Sequence, residues 1–374
     1  MTGDQEHLFS SSQGTYQQNI FIIGDMMSAI FLDRGFSYWD ASSGIGVFTL
    51  NTGSLEESGL SILNENHIEI RLSTGSEEDG SRDLISIKNA LKRYHESLLE
   101  MTYHSRVNII IAALGESLSA GITPEIAVIS GQSRAITIGI LVLPHPDDGN
   151  RAIQFSRFAL ENIRPHLDAM ILLPMENLFS ILASSTTTSH IGEKISTMIS
   201  RITRGVVDGM NSSGFHDVQR YEDLLSFFNG AGELLISYRE IERTPNGTFD
   251  AIDRCIHEPF HELRRFEGAQ KVFISVCNGE AGLPMEDYLR IGQFCRNNLG
   301  NTTNTIIKPF HSTIRGEAPF LVVFGRDITE RRSDGFDFPY AEIPEQKAPS
   351  RLPAYYRKYY GAKRRAISHD VSNF

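Results

Sequence analysis

Apolar residues along the chain form short, nearly continuous runs separated by stretches with a helical period. Asn19-Ile-Phe-Ile-Ile-Gly24, Gly46-Val-Phe-Thr-Leu50, His67-Ile-Glu-Ile-Arg-Leu72, Val107-Asn-Ile-Ile-Ile-Ala-Ala113, Ala135 to Leu143 and Ala169-Met-Ile-Leu-Leu173 read as strands, the later ones of the fully buried type. A helix is expected after Gly24, a charged one over 84–102, and amphipathic ones over 152–166 and 190–210. Strands alternating with helices at this spacing predict a mostly parallel sheet covered on both faces. From about Asp208 the pattern changes. Helical stretches at 218–229 and 247–266 precede β-rich runs at Lys271–Val276, Thr305–Lys308 and Phe320–Phe324, with a helix at 285–299 between the first two, which predicts a second, α+β domain. Residues 1–17 are polar and without period, 331–350 are Pro-rich and charged like a linker, and 351–365 are aromatic and basic.

Composition narrows the class. The 374 residues, 40% hydrophobic and 22% charged, suffice for two globular domains. A net charge of -11 argues against a whole-surface attraction to nucleic acid. Cys255, Cys277 and Cys295 have no CxxC spacing and read as buried apolar groups in a reducing cytoplasm. No apolar run reaches the roughly 18 residues of a membrane span. His257-Glu-Pro-Phe-His261 matches the zinc-protease pattern, but Pro259 between the ligands breaks the helical turn that would align them. Gly24 is followed by Asp25-Met-Met-Ser-Ala-Ile30, which lacks the further glycines of a dinucleotide fingerprint. No metal site is expected.

The segment from Val107 to Pro174 resembles FtsZ, of the FtsZ/tubulin superfamily. Gly115-Glu-Ser-Leu-Ser-Ala-Gly121 stands where that family has its phosphate-binding loop GGGTGTG, and Ile-Thr-Pro124 follows where the family often has Ala-Ala-Pro. Val142-Leu-Pro-His-Pro-Asp-Asp-Gly149-Asn-Arg151 is similar to the family's Thr-Lys-Pro-Phe-x-Phe-Glu-Gly-x-x-Arg, and Leu167 to Leu178 to its Val-Asp-x-Leu-Ile-x-Ile-Pro-Asn-Asp-x-Leu. Gly46 to Thr52, Tyr221-Glu-Asp223-Leu, and Lys271 through Ile328 extend the collinear order, so that the resemblance covers residues 19–330.

That resemblance implies an α/β, Rossmann-type parallel-sheet GTPase domain (18–189), joined by a central helix (190–210) to a smaller α+β domain (211–330), with a tail at 1–17, a linker at 331–350 and a C-terminal peptide at 351–374. It implies GTP or GDP at Gly24, Asn51, Gly115, Ser117, Ser119, Gly121 and Asp148, and a remnant catalytic Asp223 supplied to a neighbouring subunit. The departures from the pattern are many. Only Gly115 and Gly121 remain of five loop glycines, and Glu116 would set a carboxylate beside the phosphates. Met175 replaces an Asn, Ser196 and Thr197 replace the base-reading Asn-Asp, and Val218 and Arg220 replace the Asn and first Asp of the catalytic loop. Arg220 reads either as a phosphate clamp or as an interface ion pair. Trp39 reads as a packed lid and Glu77-Glu78-Asp79 as a solvated turn.

The expected function is a cytoplasmic FtsZ-like filament protein with a degenerate GTP site, binding nucleotide weakly and hydrolysing it little or not at all. It would act as a scaffold or regulator in division or membrane-associated assembly. The alternative is a slow polymerising GTPase of the ordinary kind. Expected partners are further copies, head to tail, or a related FtsZ. Leu352, Pro353, Tyr355, Tyr356, Arg357 and Lys358 are similar to the family's C-terminal peptide, which docks on membrane-tethering adaptors, here SepF-like or FtsA-like.

Overall fold

The computed structural model describes residues 17–34, 44–52, 59–64, 67–72, 84–183, 190–211, 221–260, 266–280, 282–299, 302–312 and 316–328. The amino-terminal half alternates as the apolar runs dictate: β1 (Gln18–Ile23), α1 (Asp25–Arg34), β2 (Ile45–Asn51), β3 (Gly59–Asn64), β4 (His67–Arg71), α2 (Leu84–Leu91), α3 (His95–Tyr103), β5 (Val107–Ala113) and α4 (Ser117–Ser130). It continues with β6 (Ile136–Leu143), α5 (Asn150–Ile163), β7 (Ala169–Pro174) and α6 (Met175–Ala183). Then follow α7 (Ile191–Asn211), α8 (Tyr221–Phe228), β8 (Gly232–Glu240), α9 (Gly247–His257), β9 (Ala269–Cys277), α10 (Met285–Asn298), β10 (Asn304–Phe310) and β11 (Phe320–Ile328).

The expectation of a separate second sheet is corrected. β7 and β8 pair in parallel from Ala169↔Gly232 to Ile171↔Leu234, which joins 11 strands into one sheet in the order β10-β9-β11-β8-β7-β6-β5-β1-β2-β4-β3. The join is short, and Gly232, at φ 66, makes it by turning the chain so that its N–H meets the Asp168 carbonyl at 2.9 Å. Beyond it, β11 runs antiparallel to both β8 and β9. The helix expected over 247–266 is also shorter. α9 stops at His257 because Pro259 lacks the N–H of a further turn and drives Glu258 out of helical geometry, to φ -125 and ψ 63. β3, β8, α4 and α6 have no counterpart among the expected elements.

One core spans both halves around α7, whose Ile195, Met198, Ile199, Ile202, Val206 and Met210 form a buried stripe at helical spacing. Gly205 and Gly209 bring this helix onto the carboxyl-terminal strands. A methyl group at 205 would lie 2.6 Å from Val322 Cγ2, and one at 209 would lie 2.5 Å from Ser275 Oγ. A second core lies under α9 and α10 and holds Cys255 and Cys295. All three cysteines are buried and free, and burial pushes each thiol up to about 12, which leaves them unreactive. Among the described residues no helix is long and apolar enough to cross a membrane, and no group of three or more His, Cys, Asp or Glu could hold a metal.

β2 and β4 are tied by a buried contact, Thr49 Oγ1 to His67 Nε2 at 3.1 Å. Burial, opposed by the Glu69 charge, lowers the His67 pKa to about 4. The folded chain then keeps this ring neutral while an unfolded one protonates near 6.5, so stability is lost as pH falls from about 6.5 to about 4. His67→Gln should flatten that part of a thermal-stability profile. An unchanged profile would show that His67 does not contribute.

Candidate functional site

The register aligns the carboxyl ends of the parallel strands at one edge, with Ile23 opposite Leu50 and Ala112, Ala113 opposite Val142, and Leu143 opposite Pro174. In an open α/β sheet this edge is where loops converge on a ligand. Here it collects Gly24, Asn51, Gly115, Ser117, Asp148 and Met175, most of the residues expected to touch nucleotide.

Gly24 leaves β1 at φ 100, a conformation that favours glycine. The space above its Cα is already filled. A methyl group there would meet Ser119 Oγ at 2.3 Å and Glu116 Oε2 at 3.1 Å, so a buried hydroxyl and a carboxylate of the α4 entrance pack onto the first loop. Ser119 Oγ also reaches the Ile23 carbonyl at 3.4 Å. Glu116 is the N-cap of α4, in extended geometry at φ -100 and ψ 146. Glu116 makes no side-chain cap to this 14-residue helix; its carboxylate packs over Gly24 at the helix entrance instead. Gly115 is half-buried, and a methyl there would sit 3.2 Å from Pro144 Cβ. Gly121 lies in the second turn of α4 and is buried, within the helix rather than in the loop before it.

Neighbouring polar groups bind one another. Asp25 accepts from Thr52 N at 2.8 Å and Thr52 Oγ1 at 2.6 Å, lacing the loop after β1 to the end of β2. Asn51 Nδ2 donates to Glu69 at 2.8 Å, while its buried Oδ1 has no hydrogen-bond partner among the described residues. In the turn after β6, Asp148 Oδ2 accepts from His145 N at 2.8 Å and His145 Nδ1 accepts from Asp147 N at 3.2 Å, a reciprocal cap that commits one oxygen of Asp148. At the α7 entrance the Ser196 and Thr197 hydroxyls donate to the carbonyls of Gly192 and Glu193, at 2.8 and 2.9 Å, within their own helix.

Asp223 is not part of this cluster. It is exposed in the first turn of α8, which packs by the starts of β5 and β6 at the opposite edge, about 20 Å away along the strands. Phe227 and Phe228 anchor α8 against Phe273 and Phe324, and Arg326 Nη1 donates to the carbonyls of Ser226, Phe227 and Asn229, capping its C-terminal end. No single copy can bring Asp223 to Gly24. Val218, Arg220, Trp39, Glu77 to Asp79, and the C-terminal residues Leu352, Pro353, Tyr355, Tyr356, Arg357 and Lys358 lie outside the described residues.

Two features were missed in the sequence. Arg106 and Arg134, each just before a strand, come together at the amino-terminal edge, where Arg106 pairs with Glu222. A buried charge network also locks α7 to β8 and the loop before β11. Arg204, 2% exposed, bonds Glu317 at 2.6 Å and Asp208 at 3.0 Å. Arg201 bonds Glu317 at 3.2 Å and the Tyr238 hydroxyl at 2.8 Å, and also pairs with Glu240. Burial pushes the Tyr238 hydroxyl pKa up. Ser312 adds a hydrogen bond to Glu317.

No family model matches the chain. Over 204 residues it is 24% identical to the cell division protein FtsZ of Wolbachia pipientis, a match covering 51% of this chain and 64% of that protein. Matches to two further FtsZ proteins cover 51% and 57% of their length, so the similarity spans half to two thirds of these relatives. Among solved structures, the FtsZ dimer of M. jannaschii superposes with a TM-score of 0.67 at 18% identity, over 87% of this chain and 92% of that one. A GTPyS-form protofilament of TubZ from Bacillus thuringiensis serovar israelensis superposes with a TM-score of 0.58 at 14% identity, over 88% and 92%. At these identities what is shared with the solved structures is the fold.

Proposed function

We propose that this chain, a divergent FtsZ/tubulin-superfamily protein, assembles head to tail as a scaffold or regulatory filament whose assembly does not run on GTP turnover. The observation that carries the reading is the packing of Glu116 and Ser119 onto Gly24. A phosphate cradle needs open space above a glycine and donors converging on it, whereas here a hydroxyl and an anionic side chain fill the space over Gly24 at the helix entrance. The residues present therefore fit a nucleotide triphosphate poorly. The internal hydrogen bonds of Asp148, Ser196 and Thr197 point the same way, since one oxygen of Asp148 and the protons of both hydroxyls are already engaged.

Fluorescent GTP titrated into the full chain should give no saturation in the micromolar range, and phosphate release should stay at background, unchanged by Asp223→Ala. Tight binding with turnover that Asp223→Ala abolishes would establish the alternative, a slow GTP-dependent polymerising GTPase. The placement of Asp223 at the edge opposite Gly24 favours that alternative, since in an ordinary superfamily filament it could reach the next copy's nucleotide.

The basic, aromatic stretch from Leu352 to Lys358 supports tethering through a SepF-like or FtsA-like adaptor, with aromatic anchors and a cationic rim suited to an acidic-edged groove. A 348–366 peptide should lose adaptor binding on Tyr355→Ala or Tyr356→Ala. Loss confined to Arg357→Ala plus Lys358→Ala, with strong salt dependence, would assign the segment to anionic lipid instead.

A further inference from the structure

A cavity of about 490 Å³ opens at the amino-terminal edge of the sheet, between the starts of β5 and β6 and helix α8. Ile136 and Leu225, both partly buried against the main core, give it an apolar floor. Its polar rim carries Arg106, Arg134, Glu222 and Asn229. The Glu222 carboxylate balances Arg106. Arg134 is exposed and makes no ion pair among the described residues, so the residues lining the cavity carry one more cation than anion, with exposed Asp223 beside Glu222 on α8 just outside the lining.

The opposite edge has the reverse character. The turn after β6 projects Asp147, whose side chain is 92% exposed, beside exposed Asp148, with exposed Asp25 and Glu176 on the neighbouring loops. The exposed cation near the turn, Arg151 in the first turn of α5, has its guanidinium 5.3 Å from the Phe155 ring. The two patches differ and point in opposite directions along the strands. A contact between them is therefore heterologous and leaves a free patch at each end of any assembly, so it can propagate. Complementary charge at such a contact steers encounter and fixes register, and like charge there opposes it.

We propose that the turn carrying Asp147 of one copy docks in the Arg106–Arg134 cavity of the next, an electrostatic latch that sets the direction of assembly with no nucleotide between the copies. The proposal rests on the assembly reading above and adds the residues that make the contact.

The test uses the full chain with two charge reversals, Arg134→Glu and Asp147→Lys, made separately. Neither residue belongs to a core; Asp147 lies in the turn beside Asp148, its carboxylate 3.5 Å from His145 Nδ1, and the cap there uses its backbone N–H, which the substitution keeps. Each variant alone should raise the critical concentration for sedimentable assembly roughly tenfold or more, because every contact then sets like charges together. An equimolar mixture should recover assembly. The carboxylate introduced at position 134 of one variant meets the ammonium introduced at position 147 of the other, while the native Arg134 and Asp147 meet at the next contact. Recovery also shows that both variants are folded. Singles that assemble like the wild type, or a mixture that stays unassembled beside an assembling wild type, would overturn the latch. A wild-type chain that does not assemble would overturn the assembly reading and the latch with it.

Discussion

Glu317→Ala is expected to cost about 3–5 kcal/mol of folding stability, the range for removing one partner of a buried ion pair. The cost comes from what is left behind. Arg204 is buried, and its guanidinium faces Glu317 on one side and Asp208 on the other, with the Phe310 ring centroid 5.6 Å away. Without Glu317 the guanidinium keeps its charge in a poorly solvated place, and Arg201 loses the same partner. Glu317→Gln, which retains an acceptor but no charge, should cost less, and a paired Arg204→Met plus Glu317→Leu change less again, because charge and countercharge leave together. Urea unfolding of the three variants tests this ordering. A loss below about 1 kcal/mol for Glu317→Ala would mean that water or relaxation supplies the missing partner. The network fixes the central helix to β8 and to the loop before β11.

Glu116→Gly is expected to raise GTP affinity at least about tenfold, roughly 1.4 kcal/mol. A carboxylate about 4 Å from a phosphate charge opposes binding by about 4 kcal/mol at an effective dielectric constant of about 20, and solvent screening at this half-buried position reduces that figure. Glycine is tolerated at an N-cap, so the helix should survive the change with little loss. Isothermal titration of wild type and variant reads the difference directly. Equal, weak binding by both would place the obstacle elsewhere, in Ser119 over Gly24 or in the engaged hydroxyls of Ser196 and Thr197.

Much of the fold was legible because a central parallel strand must be apolar on both faces. β1, β5, β6 and β7 therefore announce themselves as continuous runs of Ile, Val and Leu. β8 did not, since Gly232-Glu-Leu-Leu-Ile-Ser-Tyr-Arg-Glu240 mixes charged ends with a short apolar middle and follows a helix directly. Its pairing with β7, which turns two expected sheets into one, depends on partners far apart in the chain, such as Ala169 and Gly232. Pro259 carried a readable stop signal: the helix ending before it that this residue implies at His257–His261 is the one observed, while the longer stretch over 247–266 disregarded it. At the candidate site, the departure at Glu116 was visible only against the family's glycine loop, and its contact with Gly24 required the fold. The Asp148 turn was masked by its similarity to a ligand-binding stretch. Arg106 and Arg134 precede strands with no motif around them, and nothing local marks Glu317 as the partner of an arginine 113 positions earlier.

Sedimentation of the full chain, stripped of nucleotide and then supplied with none, with GDP or with GTP while phosphate is counted, tests the central claim most directly. The account predicts the same pelleted fraction in all three conditions, with phosphate release at the buffer background. Assembly that appears only with GTP, and decays as phosphate is released, would contradict it.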